Sequence, residues 1–319
     1  MLTEGAKEKN WKSYLWPLIG LAAIVVSFWF LARELRGLSW PDLWAGIGAI
    51  SGTYWAGIAL CTMGCYAILA AYDWLALEHL RKRVDYIFVA CCSLTTYALG
   101  HTLGASAFTG AVIRYRAYTT KGLSGGDVGV LVTFCSLTFA LGVMVVLGLA
   151  FLLSPGLEER FADMLSPHVV HWLAVLLLVG VGLYLLGAAL KLPELKIRNF
   201  SISYPKLGLA VKQIVVAPTE LLFAAGILYL ALPEVGNPGY LVVMGVFVVA
   251  FSLALLSHAP GGLGVFELAV LTGLPEFSNE EVLAALIVFR ICYFLIPLVM
   301  GLVMVGIFEH GQLKAKREG

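Results

Sequence analysis

The residues best suited to chemistry are few, and most of them fall in two short stretches. The first is Ser257-His258-Ala259-Pro260-Gly261-Gly262-Leu263-Gly264-Val265-Phe266-Glu267. Proline cannot continue a preceding helix, and glycines allow a tight turn. A new helix is therefore expected near Gly264, with unpaired N–H groups and a partial positive charge suited to a phosphate. The other expectation for this stretch is a turn that holds no ligand. Glu267 lies one to two turns into that helix, in apolar surroundings where a carboxylate is costly unless paired or hydrated. Arg290 is its expected partner, either in a structural pair or with one of the two on a charged headgroup. The second stretch is Arg114-Tyr115-Arg116-Ala117-Tyr118. Guanidinium groups grip phosphate in bidentate fashion and tyrosine favours an interface, so these residues suit an anionic phosphodiester; ordinary surface anchoring is the alternative. Glu220, two residues after Pro218, is a further buried-acid candidate.

The elements that must position these residues are membrane spans. Hydrophobic residues make up 60% of the chain and charged ones 13%, about half the charge of a soluble domain, and the mean hydropathy is +0.90. Apolar runs at about 15–32, 43–72, 128–153, 169–190, 213–232 and 282–308 are each long enough to cross a hydrocarbon core of about 30 Å. The first of these follows Lys7, Lys9 and Lys12, is not closed by a small-residue cleavage site, and reads as an uncleaved helix. Regions 86–113 and 239–275 are apolar but interrupted, by Gly100, His101 and Gly104 in one and by the His258–Gly264 stretch in the other. All six cysteines lie in apolar runs without a C-x-x-C pair, as expected of buried thiols. There is no P-loop, G-x-S-x-G, H-E-x-x-H or acidic metal cluster. The sequence points away from an enzyme and implies no cofactor and no metal. His79, His168, His171 and His310 fall in expected loops or span ends and look incidental.

Loop charges decide how the interrupted regions run, because cytoplasmic loops gather Lys and Arg. If each region crossed once, the clusters Arg81/Lys82/Arg83 and Arg114/Arg116/Lys121 would face opposite sides. If each enters and returns, every Lys and Arg except Arg33, Arg36, Arg160 and Arg290 faces the cytoplasm. The expected fold is thus an all-α integral membrane protein, with about six full transmembrane helices plus two re-entrant helical hairpins related as an inverted repeat. An ordinary eight-span topology is the alternative. The second arms, Gly104-Ala-Ser-Ala-Phe108-Thr-Gly-Ala111-Val112 and Gly262-Leu-Gly-Val-Phe266-Glu-Leu-Ala269-Val270, share G-x-[SG]-x-F-x-x-A-V, each with a histidine just upstream. Inverted repeats with broken helices meeting near the midplane are a transporter architecture, and freed backbone there must be buried or line a wet cavity. The domains follow: a cytoplasmic tail at 1–14, one membrane domain at 15–310 with half repeats at about 86–153 and 239–308, and a cytoplasmic tail at 311–319. Residues 194–204 alternate apolar and polar, as a short strand or hairpin at the cytoplasmic surface.

Leu103-Gly-…-Thr109-Gly-Ala-Val-Ile-Arg114-Tyr-Arg-…-Tyr118 with a following Lys-Gly, together with Ser257-His-Ala-Pro260-Gly-Gly-Leu-Gly-Val-Phe-Glu267, resembles the lysylphosphatidylglycerol synthase transmembrane region. That is the flippase region of aminoacyl-phosphatidylglycerol flippase/synthetases, found also as stand-alone membrane proteins of the YbhN-like (UPF0104) kind. The resemblance spans about 15–310. It implies a protein of the cytoplasmic membrane that handles anionic phospholipids, as a translocase or a lipid-binding protein, with both termini inside. The site residues it implies are Arg114, Arg116, Pro260, Gly261, Gly262, Gly264 and Glu267. Tyr118, His258, Glu220 and Arg290 join them from the residue reading. Set against the bifunctional proteins, which continue into a soluble transferase domain, this chain is expected to lack the synthetic half; the alternative reading is a membrane subunit supporting a separate lipid-modifying or glycosyl-transfer enzyme. Expected partners are membrane phospholipids, with such an enzyme and a second copy of the chain as further candidates; nucleic acid is not one.

Overall fold

A computed structural model of the protein describes residues 40–103, 106–161, 166–192, 195–197, 200–202, 204–257 and 262–318. The expected tail 1–14 and the first span, 15–32, lie outside the described residues. The protein is an all-α, multi-pass membrane protein. Among the described residues five helices are long and apolar enough to cross a bilayer: Gly52–His79, Gly125–Leu153, Pro167–Ala189, Leu207–Ala231 and the continuous Asn279–Gln312.

The run expected at 43–72 is two helices, α1 (Trp40–Ala49) and α2 (Gly52–His79). Ser51 divides them, because its hydroxyl accepts the Tyr54 amide and caps the second helix. α2 continues past the expected end to His79, which carries Asp73 into the helix instead of a loop. The interrupted region 86–113 forms α3 (Tyr86–Leu103) and α4 (Ser106–Thr119), and α5 (Gly125–Leu153) follows. α3 and α4 fold back on each other, since Lys121 Nζ sits 4.6 Å over the Phe88 ring and a Cβ on Gly110 would lie 3.1 Å from Thr96. The short α6 (Pro155–Glu159) leads to α7 (Pro167–Ala189). Strands β1 (Leu195–Ile197) and β2 (Phe200–Ile202) then pair antiparallel with Lys196 opposite Ser201, the short hairpin that the alternation predicts.

α8 (Leu207–Ala231) packs antiparallel along α2. Lys212 Nζ bonds Glu78 at 2.8 Å at one end, and Tyr54 donates to Glu234 at the other. Small residues allow the close approach: a Cβ on Gly64 would meet Phe223, and one on Gly226 would meet Cys61 Sγ, both at 2.9 Å. The second interrupted region forms α9 (Tyr240–Leu256) and α10 (Val265–Gly273), again folded on each other. The last span is α11 (Asn279–Arg290), a five-residue π turn (Ile291–Leu295) and α12 (Ile296–Glu318).

Ion pairs and one tyrosine–carboxylate hydrogen bond sort the helix ends onto two faces. Lys82–Asp127 (3.3 Å), Glu78–Lys212 and Arg116–Glu309 gather the start of α3, the ends of α2, α4 and α12, and the starts of α5 and α8 on a basic face. Tyr54–Glu234 and Arg160–Glu276 gather the start of α2, the ends of α8 and α10 and the segment after α6 on the opposite face.

Candidate functional site

The π turn adds one residue to a helical circuit and so re-aims side chains, a distortion common at functional sites. Here it delivers Tyr293 to the interior. The Tyr293 carbonyl accepts the Tyr66 hydroxyl at 2.9 Å, and its own hydroxyl donates to Glu220 Oε1 at 3.2 Å. Its ring stacks on Phe289 (5.0 Å, 14°) on one side and on His101 (5.5 Å, 12°) on another. Phe251 of α9 meets His101 edge-on at 6.0 Å, so an aromatic cluster joins the first arm of each folded-back pair to the last span.

Beside this cluster is a cavity of about 130 Å³ lined by Thr96, Tyr97, Gly100 and His101 of α3, Arg114 of α4, Cys135, Ser136 and Phe139 of α5, Glu220 of α8, and Phe251 and Leu255 of α9. It has the size and polarity to hold water. Three buried atoms of its lining residues have no hydrogen-bond partner: Thr96 Oγ1, His101 Nδ1 and Glu220 Oε2.

Arg114 was expected at the surface and is instead only 4% exposed. The reason is Asp73, which sequence reading missed. Arg114 donates from Nε to Asp73 Oδ2 (3.1 Å) and from Nη2 to Oδ1 (2.5 Å), while Tyr118 donates to Oδ2 (2.9 Å) and Cys135 Sγ to Oδ1 (3.5 Å). The guanidinium carbon also lies 4.9 Å over the Tyr97 ring. The i, i+4 spacing of Arg114 and Tyr118 puts both on one helical face, and that was the available signal for a shared buried acid. Arg116 remains at the surface, paired with Glu309 of α12 through Nε (2.6 Å) and Nη2 (2.5 Å). It stands at the edge of an apolar groove of about 380 Å³ between α3, α4 and α12, whose wall includes Phe88, Cys91, Ile113, Met304 and Phe308.

In the second half, α10 begins at Val265 as the turn residues predict, with Gly262 (φ +67°) and Gly264 (φ +80°) in the left-handed region. A Cβ on Gly262 would also approach that of Ala254 to 2.6 Å. The Gly264 amide, expected to be open to a phosphate, donates to Glu267 Oε2 at 2.8 Å. The helix start is thus answered by the chain's own carboxylate. Glu267 pairs with Arg290, as expected, through Nε (2.7 Å) and Nη2, and the guanidinium lies 5.7 Å from the Phe294 ring centre. His258, Pro260 and Gly261 lie outside the described residues.

Among the described residues no group of three or more His, Cys, Asp or Glu side chains is placed to hold a metal. The structure brings Arg114 and Glu220 to the interior cavity, sets Tyr118 beside Arg114 on Asp73, keeps Glu267 and Arg290 together, and sets Arg116 apart on the basic face.

Comparison with known proteins agrees with this architecture. The chain is 30% identical to an uncharacterized protein, slr0712, of Synechocystis sp., over 94% of this chain and 93% of that one. It is 26% identical to the inner membrane protein YbhN of Escherichia coli, over 96% of each. It is 29% identical to the phosphatidylglycerol lysyltransferase of Staphylococcus haemolyticus, over 90% of this chain but 33% of that much longer protein. The model of the lysylphosphatidylglycerol synthase TM region matches residues 18–301, nearly the whole chain. The chain belongs to the family of the lysylphosphatidylglycerol synthase transmembrane region.

Proposed function

We propose that this protein binds anionic phospholipids in the cytoplasmic membrane and moves them between leaflets. The observation that carries the reading is the groove between α3, α4 and α12: its wall is apolar, and Arg116 stands at its edge on the basic face. An acyl chain fits the wall, while the guanidinium suits a phosphodiester. The Glu309 carboxylate beside it suits an ammonium group on an aminoacylated headgroup. A second apolar groove of about 540 Å³, between α2, α3 and α12, lies on the other flank of α3.

In this reading α3–α4 and α9–α10 are re-entrant hairpins entering from opposite leaflets, among six full crossings, with both termini cytoplasmic. Two features support it. Each folded-back pair has both flanks on one face, the basic one for α3–α4 and the opposite one for α9–α10. α2 and α8, which precede the two pairs, run antiparallel, as two halves inverted in the membrane would. The names of the relatives support the lipid class and the membrane: one is an inner membrane protein and another a phosphatidylglycerol lysyltransferase. Gly262, Gly264, Glu267 and Arg290 then hold the second hairpin in shape.

The test is reconstitution into liposomes with labelled phosphatidylglycerol. Wild-type protein is expected to speed transbilayer movement well above protein-free vesicles, and Arg116→Glu to lose most of that gain. Wild-type vesicles no faster than empty ones contradict the proposal. A second reading, a membrane subunit serving a separate lipid-modifying enzyme, is favoured by the lysyltransferase match, which is confined to about a third of that protein. Co-purification with such an enzyme, with no lipid movement alone, would select it.

A further inference from the structure

Glu220 is 1% exposed, in the middle of α8, and its two oxygens are treated differently. Oε1 accepts from Cys65 Sγ and from the Tyr293 hydroxyl, each at 3.2 Å. Oε2 has no partner, although it is buried in a residue that lines the polar cavity. A carboxylate oxygen with no protein donor in a bilayer interior is disfavoured unless cavity water or a proton answers it, and water alone leaves its charge in place.

The neighbouring charges do not resolve this. From α2 the facing titratable groups are Cys65, Tyr66 and Tyr72, with Asp73 beyond them; from the π turn, Tyr293. Across the cavity stand Tyr97 and His101 of α3, Cys135 of α5 and Arg114 of α4. Arg114 is the only guanidinium or ammonium lining the cavity among the described residues, and both of its described hydrogen bonds go to Asp73. Two buried carboxylates therefore share one permanent cation, and one positive charge is missing. The Glu267–Arg290 pair is already balanced. A hard cation would want several oxygen ligands, whereas the side chains hydrogen-bonded to Glu220 are a thiol and a phenol. The other bare heteroatom of matching chemistry on the cavity is His101 Nδ1, buried and without a partner.

We propose that Glu220 is a proton-exchange site, reached through the cavity with His101 as its relay. On uptake a hydronium ion in the cavity gives its proton to His101 Nδ1 and leaves as water; an O–H bond then forms at Glu220 Oε2 as that N–H bond breaks, the electron pair staying on nitrogen, and release runs the sequence backward. The exchange neutralises the cavity without a further side chain. Its coupling to lipid movement rests on the function proposed above: a neutral cavity lets the two hairpins move against each other at lower electrostatic cost.

The test is infrared difference spectroscopy of the full chain in lipid, titrated between acid and alkaline pH in H₂O and D₂O. The expected result is a protonated-carboxyl band that titrates in wild type, vanishes in Glu220→Gln and survives in the surface control Glu281→Gln. Should Glu220→Gln fail to fold, Tyr293→Phe, which removes one donor to Oε1, and His101→Asn are expected to displace the band's midpoint or slow its exchange. A band unchanged in Glu220→Gln, or unmoved in both other variants, overturns the proposal. So does occupancy that follows sodium concentration at fixed pH. In liposomes, lipid movement is expected to change several-fold with pH in wild type and to become pH-independent in Glu220→Gln. If the carboxyl titrates as expected while wild type moves no lipid at any pH, the proton site stands and the lipid function falls.

Discussion

Two arginine–carboxylate pairs are buried among the described residues, Asp73–Arg114 and Glu267–Arg290, and they are built differently. Asp73–Arg114 joins residues of α2 and α4, takes further hydrogen bonds from Tyr118 and Cys135, and borders a cavity with bare polar atoms. Glu267–Arg290 joins α10 to the last span, and its second carboxylate oxygen caps the helix on which Glu267 itself sits. The first pair is a hub between distant helices; the second is a local staple that shapes one turn. The difference teaches that a buried charge is not one kind of evidence. Where the pair closes on itself and on its own helix, it accounts for itself structurally. Where its neighbours include a further unpaired acid, the region has a charge still to satisfy.

The comparison makes graded predictions. The largest effect is expected for Asp73→Ala, which strands Arg114 in the interior at a cost of about 3–5 kcal/mol, read as a lower midpoint of thermal unfolding in nanodiscs. Adding Arg114→Leu is expected to restore most of the loss. Glu267→Gln keeps an acceptor for the Gly264 amide and leaves Arg290 against Phe294, so a smaller loss of roughly 2 kcal/mol is expected. Equal losses from Asp73→Ala and Glu267→Gln would break the distinction between hub and staple. Gly262→Ala is expected to cost about 1–2 kcal/mol through its left-handed backbone, plus the displacement of Ala254, and to show first as faster proteolysis between α9 and α10.

The smallest effect concerns the opposite face. Hydrogen bonds from Arg160 hold the Glu276 carboxyl below its ordinary value. A depressed carboxyl stabilises the fold above the ordinary glutamate range, and that contribution is lost as pH falls through the lowered value. The Arg160 clamp, which also bonds the Gly273 carbonyl at the end of α10 (2.8 Å), is therefore expected to weaken only in acid. Wild type and Arg160→Ala should differ in thermal midpoint at neutral pH and converge as the pH is lowered. A gap that is constant with pH would remove Glu276 from the explanation.

Much of this architecture is legible in the residues. Apolar runs announce the spans, and both interrupted regions do form two helices, although α3 runs on through Gly100 and His101 to Leu103, where a break was also expected. The Glu267–Arg290 pair is also legible, since an acid and a base in apolar runs have few other partners. Asp73 is not, because reading the run as ending at Ala71–Tyr72 places the acid in a loop, whereas tertiary pairing with Arg114 and Tyr118 keeps it inside the helix. For the same reason Arg114 reads as a surface anchor and proves buried, while Arg116, two residues on and facing another way, stays at the surface. The π turn left no signal in Ile291–Leu295: it rests on the fit of Tyr293 between Tyr66, Glu220 and His101, contacts that composition does not encode.

The most direct test of the lipid-handling claim is native mass spectrometry of the full chain released from nanodiscs that mix phosphatidylglycerol with phosphatidylethanolamine. The account predicts that phosphatidylglycerol stays bound in excess of its share of the bilayer, and that Arg116→Glu removes this preference. Retention of the two lipids in proportion to their supply, unchanged in the variant, would contradict it.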